Sequence, residues 1–125
     1  MDELVEWLRA QLDEDERIAR AATLGPWVQS GIGDYGWTVD FGRPGAGVET
    51  ADTEQGLADA DFIAAHNPAR VLREIDAKRQ LLALHAEGST DLFCAHCEHE
   101  PPCPTLRLLA LPYADRPGYR EEWRP

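Results

Sequence analysis

The stretch His85-Ala-Glu-Gly-Ser-Thr-Asp-Leu-Phe-Cys94-Ala-His96-Cys97-Glu-His99-Glu-Pro-Pro-Cys103-Pro-Thr-Leu-Arg107 decides how this chain is read, because it carries all three cysteines and three of the four histidines. Zinc takes four ligands in a tetrahedron, and a Cys-x2-Cys turn supplies two thiolates from one tight loop without straining the backbone. Cys94 and Cys97 have that spacing. Cys103 offers a third thiolate beyond a spacer whose Pro101-Pro102 pair limits the entropy lost on closing the loop. A histidine must complete the set. His85 stands at the end of an expected long helix, so it approaches from a rigid element and is the first choice. His99, inside the loop between the second and third thiolates, is the alternative. His96 lies between Cys94 and Cys97, where residues of such a turn point away from the ion.

Thiol chemistry is the competing reading, since a Cys-x2-Cys pair also suits a thioredoxin-like motif. That motif needs a strand before it and a helix directly after it, whereas Glu98 to Pro102 is a polar, proline-rich loop. The spacings therefore favour metal. Three thiolates and one imidazole close the coordination sphere, and a closed site is structural, because catalysis needs an open position for water or substrate. The expected cofactor is a structural zinc on His85, Cys94, Cys97 and Cys103, with His99 as the alternative fourth ligand.

Working outward, residues 68–85 read as a helix capped by Asn67 and opened by Pro68, with Val71, Leu72, Ile75, Leu81 and Leu82 as its apolar stripe. Arg70, Arg73, Lys78 and Arg79 make it basic, which suits docking beside an acidic first helix. Asp52-x-x-Gln55 resembles a capping box for a preceding helix that ends near Ala65, with Leu57, Ala60, Ile63 and Ala64 inward. His66, at that helix end, reads as a cap or surface residue. Residues 26–51 contain three short β-prone runs separated by glycine-rich turns, Gly31-Ile-Gly33-Asp34 and Gly42-Arg-Pro44-Gly45, and read as an antiparallel meander. In its middle run Trp37, Val39 and Phe41 alternate with Thr38 and Asp40, so one face is apolar and must be covered by a helix. Residues 2–22 read as a helix with Leu4, Leu8, Leu12, Ala19 and Ala22 at helical spacing and Val5, Trp7 and Ile18 widening the stripe; Asp2, Glu3 and Glu6 sit in its first turns. Cys103 is placed at the N-terminus of a short helix reaching Leu111, and residues 112–125 form an aromatic tail that packs back. The fold class is α+β: one domain over 1–125, with a three-stranded meander, about four helices and a zinc-stapled loop near the C-terminus.

The formal charge of the 125 residues is -11. Residues 1–66 hold 14 acidic against 4 basic side chains, a balance of -10, and residues 67–125 hold 9 against 8, a balance of -1. Such a first half repels nucleic acid. No apolar run approaches the ~18 residues a membrane span needs, and no signal-peptide pattern follows Met1. A cytoplasmic protein is expected, in keeping with reduced cysteines available to metal.

Two pairs of stretches carry a resemblance: Ala22-Thr-Leu-Gly-Pro-Trp27 with Ala60-Asp-Phe-Ile-Ala-Ala-His-Asn-Pro-Ala-Arg-Val-Leu72, and Pro102-Cys-Pro-Thr-Leu-Arg-Leu-Leu-Ala-Leu-Pro-Tyr-Ala114 with Tyr119-Arg-Glu-Glu-Trp123. Over most of its length the chain resembles a family of small actinobacterial proteins classed as a domain of unknown function. Its first part is similar to small early-region proteins of tailed phages. In the resembling family a histidine, a Cys pair and a Pro-Cys precede the Thr-Leu-Arg helix, which implies His85, Cys94, Cys97 and Cys103 here. The resemblance implies no activity.

The leading functional reading is a non-enzymatic protein-interaction or adaptor module with another protein as partner. The sequence contains no Gly-x4-Gly-Lys phosphate loop, and Gly42, Gly45 and Gly47 lack the strand-then-helix context of a dinucleotide site. A zinc enzyme is the second class: an open coordination position would let His96 or Glu98 serve as acid or base. An acidic nucleic-acid mimic is the third, suggested by the first half's charge and the phage similarity.

Overall fold

The leucine spacing at the start of the chain dictates its first element. The computed structural model describes residues 3–125, so the expected role of Asp2 in the first turn lies outside the described residues. Helix α1 spans Glu3–Ala21 and carries Glu3 and Glu6 in its first turn. Leu4, Leu8 and Leu12, one turn apart, are buried together with Val5. Each leucine withdrawn from water contributes about 1.5–3 kcal/mol. Ile18, expected on this stripe, is instead 52% exposed. The reason is angular: Ala19 follows Leu12 by about two turns and is buried, so its neighbour Ile18 is rotated off the stripe by about 100°.

The architecture of the described residues is α+β, with four α-helices, one three-stranded antiparallel sheet and a cysteine cluster near the C-terminus. The chain divides into two compact units, Glu16–Glu74 and Met1–Asp15 with Ile75–Pro125.

The unit Glu16–Glu74 is built on the meander β1 (Val28–Ile32), β2 (Trp37–Asp40) and β3 (Gly47–Glu49), in the order β1-β2-β3. Gln29 pairs with Val39 and Val39 with Val48, so these three residues share one face. Helix α2 (Glu54–Ala65) packs on β1 and β2, and Gln29 Nε2 donates to Asp61 Oδ1 at 3.2 Å. Strand β1 continues through Gly31 and Ile32, which the sequence placed in a turn. A bulge between Gln29 and Gly31 makes this possible: Gly31 takes φ 91°, and its N–H donates to Gln29 Oε1 at 2.5 Å. Phe41 lies just past β2 and stacks on Trp27 with centroids 3.9 Å apart. The cap of α2 is also shifted from expectation. Thr53, not Asp52, is the N-cap: its extended backbone lets the hydroxyl accept the Gly56 N–H at 2.9 Å.

The other unit combines α1 up to Asp15 with helix α3 (Pro68–Ala86) from Ile75 onward, helix α4 (Pro104–Ala110) and the tail. Asn67 and Pro68 open α3 as the sequence predicts, with Asn67 Oδ1 accepting the Arg70 N–H at 2.9 Å. The expected acidic-to-basic docking of the first helix and α3 is present as Asp13 with Arg79, 2.7 Å apart. Both side chains are exposed, so this pair contributes at most about 1 kcal/mol. After α4 come two short 3-10 turns, Leu111–Tyr113 and Glu121–Trp123, which bury Tyr113 and Trp123. The aromatic tail does pack back: Trp7 meets Tyr119 at 5.7 Å and Trp123 at 5.5 Å between centroids. Trp7 Nε1 donates to the Pro117 carbonyl at 3.0 Å, and Arg116 reaches Asp15 at 2.5 Å. Gly118 is required where the tail crosses Trp7, because a Cβ there would lie 2.7 Å from Trp7 Nε1 and its φ is 91°.

Candidate metal centre

Three separate pieces of backbone deliver the cluster. His85 lies in the last turn of α3 and is buried although polar. Cys94 to Cys97 form a tight turn in which the Glu98 N–H donates to the Cys94 carbonyl at 2.9 Å and the Cys94 N–H donates to the His99 carbonyl at 2.7 Å. Glu98 takes the left-handed φ of 64° that such a reversal needs. Cys103 is the N-cap of α4, held ahead of Pro104 at the first helical position. Cys94 and Cys103 are buried, and Cys97 is half-buried.

His85, Cys94, Cys97 and Cys103 come together with one donor atom each, all within 4.8 Å of one another, as a group that could hold a metal ion. His85 Nδ1 lies 3.5 Å from Cys94 Sγ and 3.4 Å from Cys103 Sγ. A tetrahedral ion with zinc-like bonds places neighbouring S and N donors about 3.5–3.8 Å apart, so the set fits with a small inward shift. Three thiolates and an imidazole are soft to borderline donors, suited to zinc rather than to calcium or magnesium.

The electrostatics divide the thiols. Burial resists ionisation of Cys94, but the N–H groups of Cys97 and His96, the Cys97 thiol and the His85 ring favour its thiolate and together hold it down at about 6. Burial pushes Cys103 up to about 11; Cys97 and the charge on Cys94 add to that, against the N–H of Leu106. Without metal, negative charge therefore gathers on Cys94 while Cys103 keeps its proton. A dication entering the cluster must displace that proton.

The remaining residues singled out in the sequence are placed differently. His99 is exposed, with Nδ1 3.0 Å from the Cys97 carbonyl oxygen, and is not one of the four that converge. His96 is exposed too, yet its ring meets the His85 ring edge-on at 4.7 Å. His66 is the C-cap of α2 and stacks on Phe62 at 4.1 Å.

Two residues beside the cluster escaped the sequence reading. Ser89 Oγ donates to the His85 carbonyl at 2.7 Å and accepts the Ala95 N–H at 2.9 Å. Arg107 donates from Nε to the Pro102 carbonyl at 2.7 Å and from a terminal nitrogen to the Glu122 carbonyl at 2.5 Å, joining the backbone just before Cys103 to the tail. A serine near a helix end carries no motif, and although Arg107 stands in the Thr-Leu-Arg stretch that carries the family resemblance, nothing in the order of residues names its two carbonyl partners.

Residues 1–125 match the Family of unknown function (DUF6221), and the chain belongs to that family. Searches of the curated proteins and of the solved structures gave no match. Among the described residues, no helix is long and apolar enough to cross a membrane.

Proposed function

We propose that this DUF6221 protein binds one structural zinc ion through His85, Cys94, Cys97 and Cys103, and serves as a protein-interaction module rather than a catalyst. The observation that carries the reading is the convergence of three thiols and one imidazole nitrogen within 4.8 Å. Four such donors complete a zinc tetrahedron and leave no place for a reacting water. The zinc would fix the end of α3 and the start of α4, and through Arg107 the tail that carries Trp123. Ordering this segment is work a metal does well, since its binding free energy is also folding free energy.

The interaction role is supported by what the same loop presents to solvent. Leu92 is 81% exposed, and its N–H and that of Phe93 lie 3.2 and 3.3 Å from Thr90 Oγ1. A fixed apolar tip of this kind suits contact with another protein, located in the cytoplasm where the thiols stay reduced.

Elemental analysis of the purified protein, with thiol counting before and after chelation, tests the metal reading. The expected result is about one zinc per chain, with the thiols reactive only after chelation. A folded, metal-free protein with freely reactive thiols would refute it.

A further inference from the structure

We propose that Ser89 is a positioning residue for the metal centre, holding the His85 end of α3 and the Cys94 to Cys97 turn in the relative placement that four-coordination requires. The inference rests on the metal reading above and adds to it a residue that touches no ion.

The α3 helix ends at Ala86, and the chain reverses through Gly88 at φ 76°. Ser89 closes that turn with its N–H on the Ala86 carbonyl at 3.2 Å. Its half-buried hydroxyl then uses both of its capacities: it donates to the carbonyl of His85 at 2.7 Å and accepts the N–H of Ala95, the residue after Cys94, at 2.9 Å. One oxygen thus touches the backbone of one ligand and the residue next to another.

The Ser89 hydroxyl ties the His85 carbonyl to the Cys-x2-Cys turn, and Cys94 Sγ lies 3.3 Å from the same carbonyl oxygen. Groups that orient ligands in this way typically govern ten- to a hundred-fold of metal affinity. Serine suits the position because its hydroxyl is both donor and acceptor on a single short arm; alanine supplies neither.

The test uses the full chain as wild type, Ser89→Ala and Ser89→Thr. Zinc affinity is measured by competition with a chromophoric chelator, and the cobalt(II)-substituted proteins are compared by their visible d–d absorption, which reports coordination geometry. Ser89→Ala is expected to bind zinc about ten-fold more weakly or worse, with an altered cobalt spectrum. Ser89→Thr, which keeps the hydroxyl, is expected to restore both. Ser89→Ala within two-fold of wild type, with the same spectrum, would overturn the inference while leaving the metal site standing. So would a Ser89→Thr protein as impaired as Ser89→Ala, since the hydroxyl would then not be the operative group, or a Ser89→Ala chain that stays unfolded in excess zinc. A wild-type protein that takes up neither zinc nor cobalt would overturn the metal reading itself and this inference with it.

Discussion

Replacing Cys97 by serine should unfasten one part of the molecule and leave another in place. Of the proposed ligands, Cys97 is the suitable one to remove because it is half-buried, whereas Cys94 and Cys103 are buried and a serine there would also leave a polar group without water. The size of the effect follows from mass action. If losing one thiolate weakens zinc binding a thousand-fold, about 4.1 kcal/mol of metal-linked stability is withdrawn at saturating zinc. Domains are stable by only ~5–15 kcal/mol, and each kcal/mol moves the melting midpoint of a small unit by about 4–8 °C, so a fall on the order of 15–30 °C is expected.

The structure also says where the loosening should go. The loop and the start of α4 lose their common anchor, and Arg107 passes the loss from the Pro102 carbonyl to the Glu122 carbonyl, next to Trp123. Trp123 packs on Trp7 at 5.5 Å, so the tail's contact with α1 should weaken as well. Hydrogen exchange read by mass spectrometry on Cys97→Ser, with zinc present, should show faster exchange from about His85 to Pro125 and the original protection in peptides holding Trp27 and Trp37. Limited proteolysis should cut the C-terminal third first. Unchanged protection from His85 to Pro125 in the variant would refute the reasoning, because the metal would then be dispensable to the fold.

Three further outcomes follow from the same geometry. His85→Ala should release zinc to a chelator far more readily than His99→Ala, since the His85 Nδ1 sits 3.4 and 3.5 Å from two thiols and His99 lies outside the group; equal retention would reverse that order. Zinc affinity should rise with pH between about 7 and 9, because Cys103, pushed up to about 11, keeps a proton that zinc must displace; Cys94, held at about 6, adds its own competing proton only as the pH falls toward 6. Calorimetric titrations in buffers of different ionisation enthalpy count those protons, and a pH-independent affinity would contradict the assignment. Arg107→Ala should lose two charge-assisted hydrogen bonds worth about 1.5–3 kcal/mol each at most, lowering the urea midpoint while zinc stoichiometry stays the same; a lost zinc ion would place Arg107 in the binding machinery instead.

How much of this could be read from the sequence depends on whether a feature is local. The three antiparallel runs, the Asn67-Pro68 helix start and the placement of Cys103 ahead of α4 were legible because each is specified by residues a few positions apart. The four side chains that converge were legible for a related reason: the cysteine spacing sets two of them in one turn, and the helix pattern puts His85 at a rigid end facing that turn. Errors arose where two neighbouring residues could each satisfy the same rule. Asp52 and Thr53 are both good caps, and it is Thr53 whose extended backbone lets its side chain accept the Gly56 N–H. Ile18 and Ala19 both fit an apolar stripe, and the phase of the helix decides for alanine. What stayed hidden is what requires a pairing across space: the Nδ1 face of His85 toward the thiols, the bulge that carries β1 through Gly31, and the two hydrogen bonds of Ser89. A convergent set of donors can therefore be written into spacing, whereas the hydrogen bonds beside it are written into the fold, and for that reason Ser89 and Arg107 are where variants should be made next to the cysteines themselves.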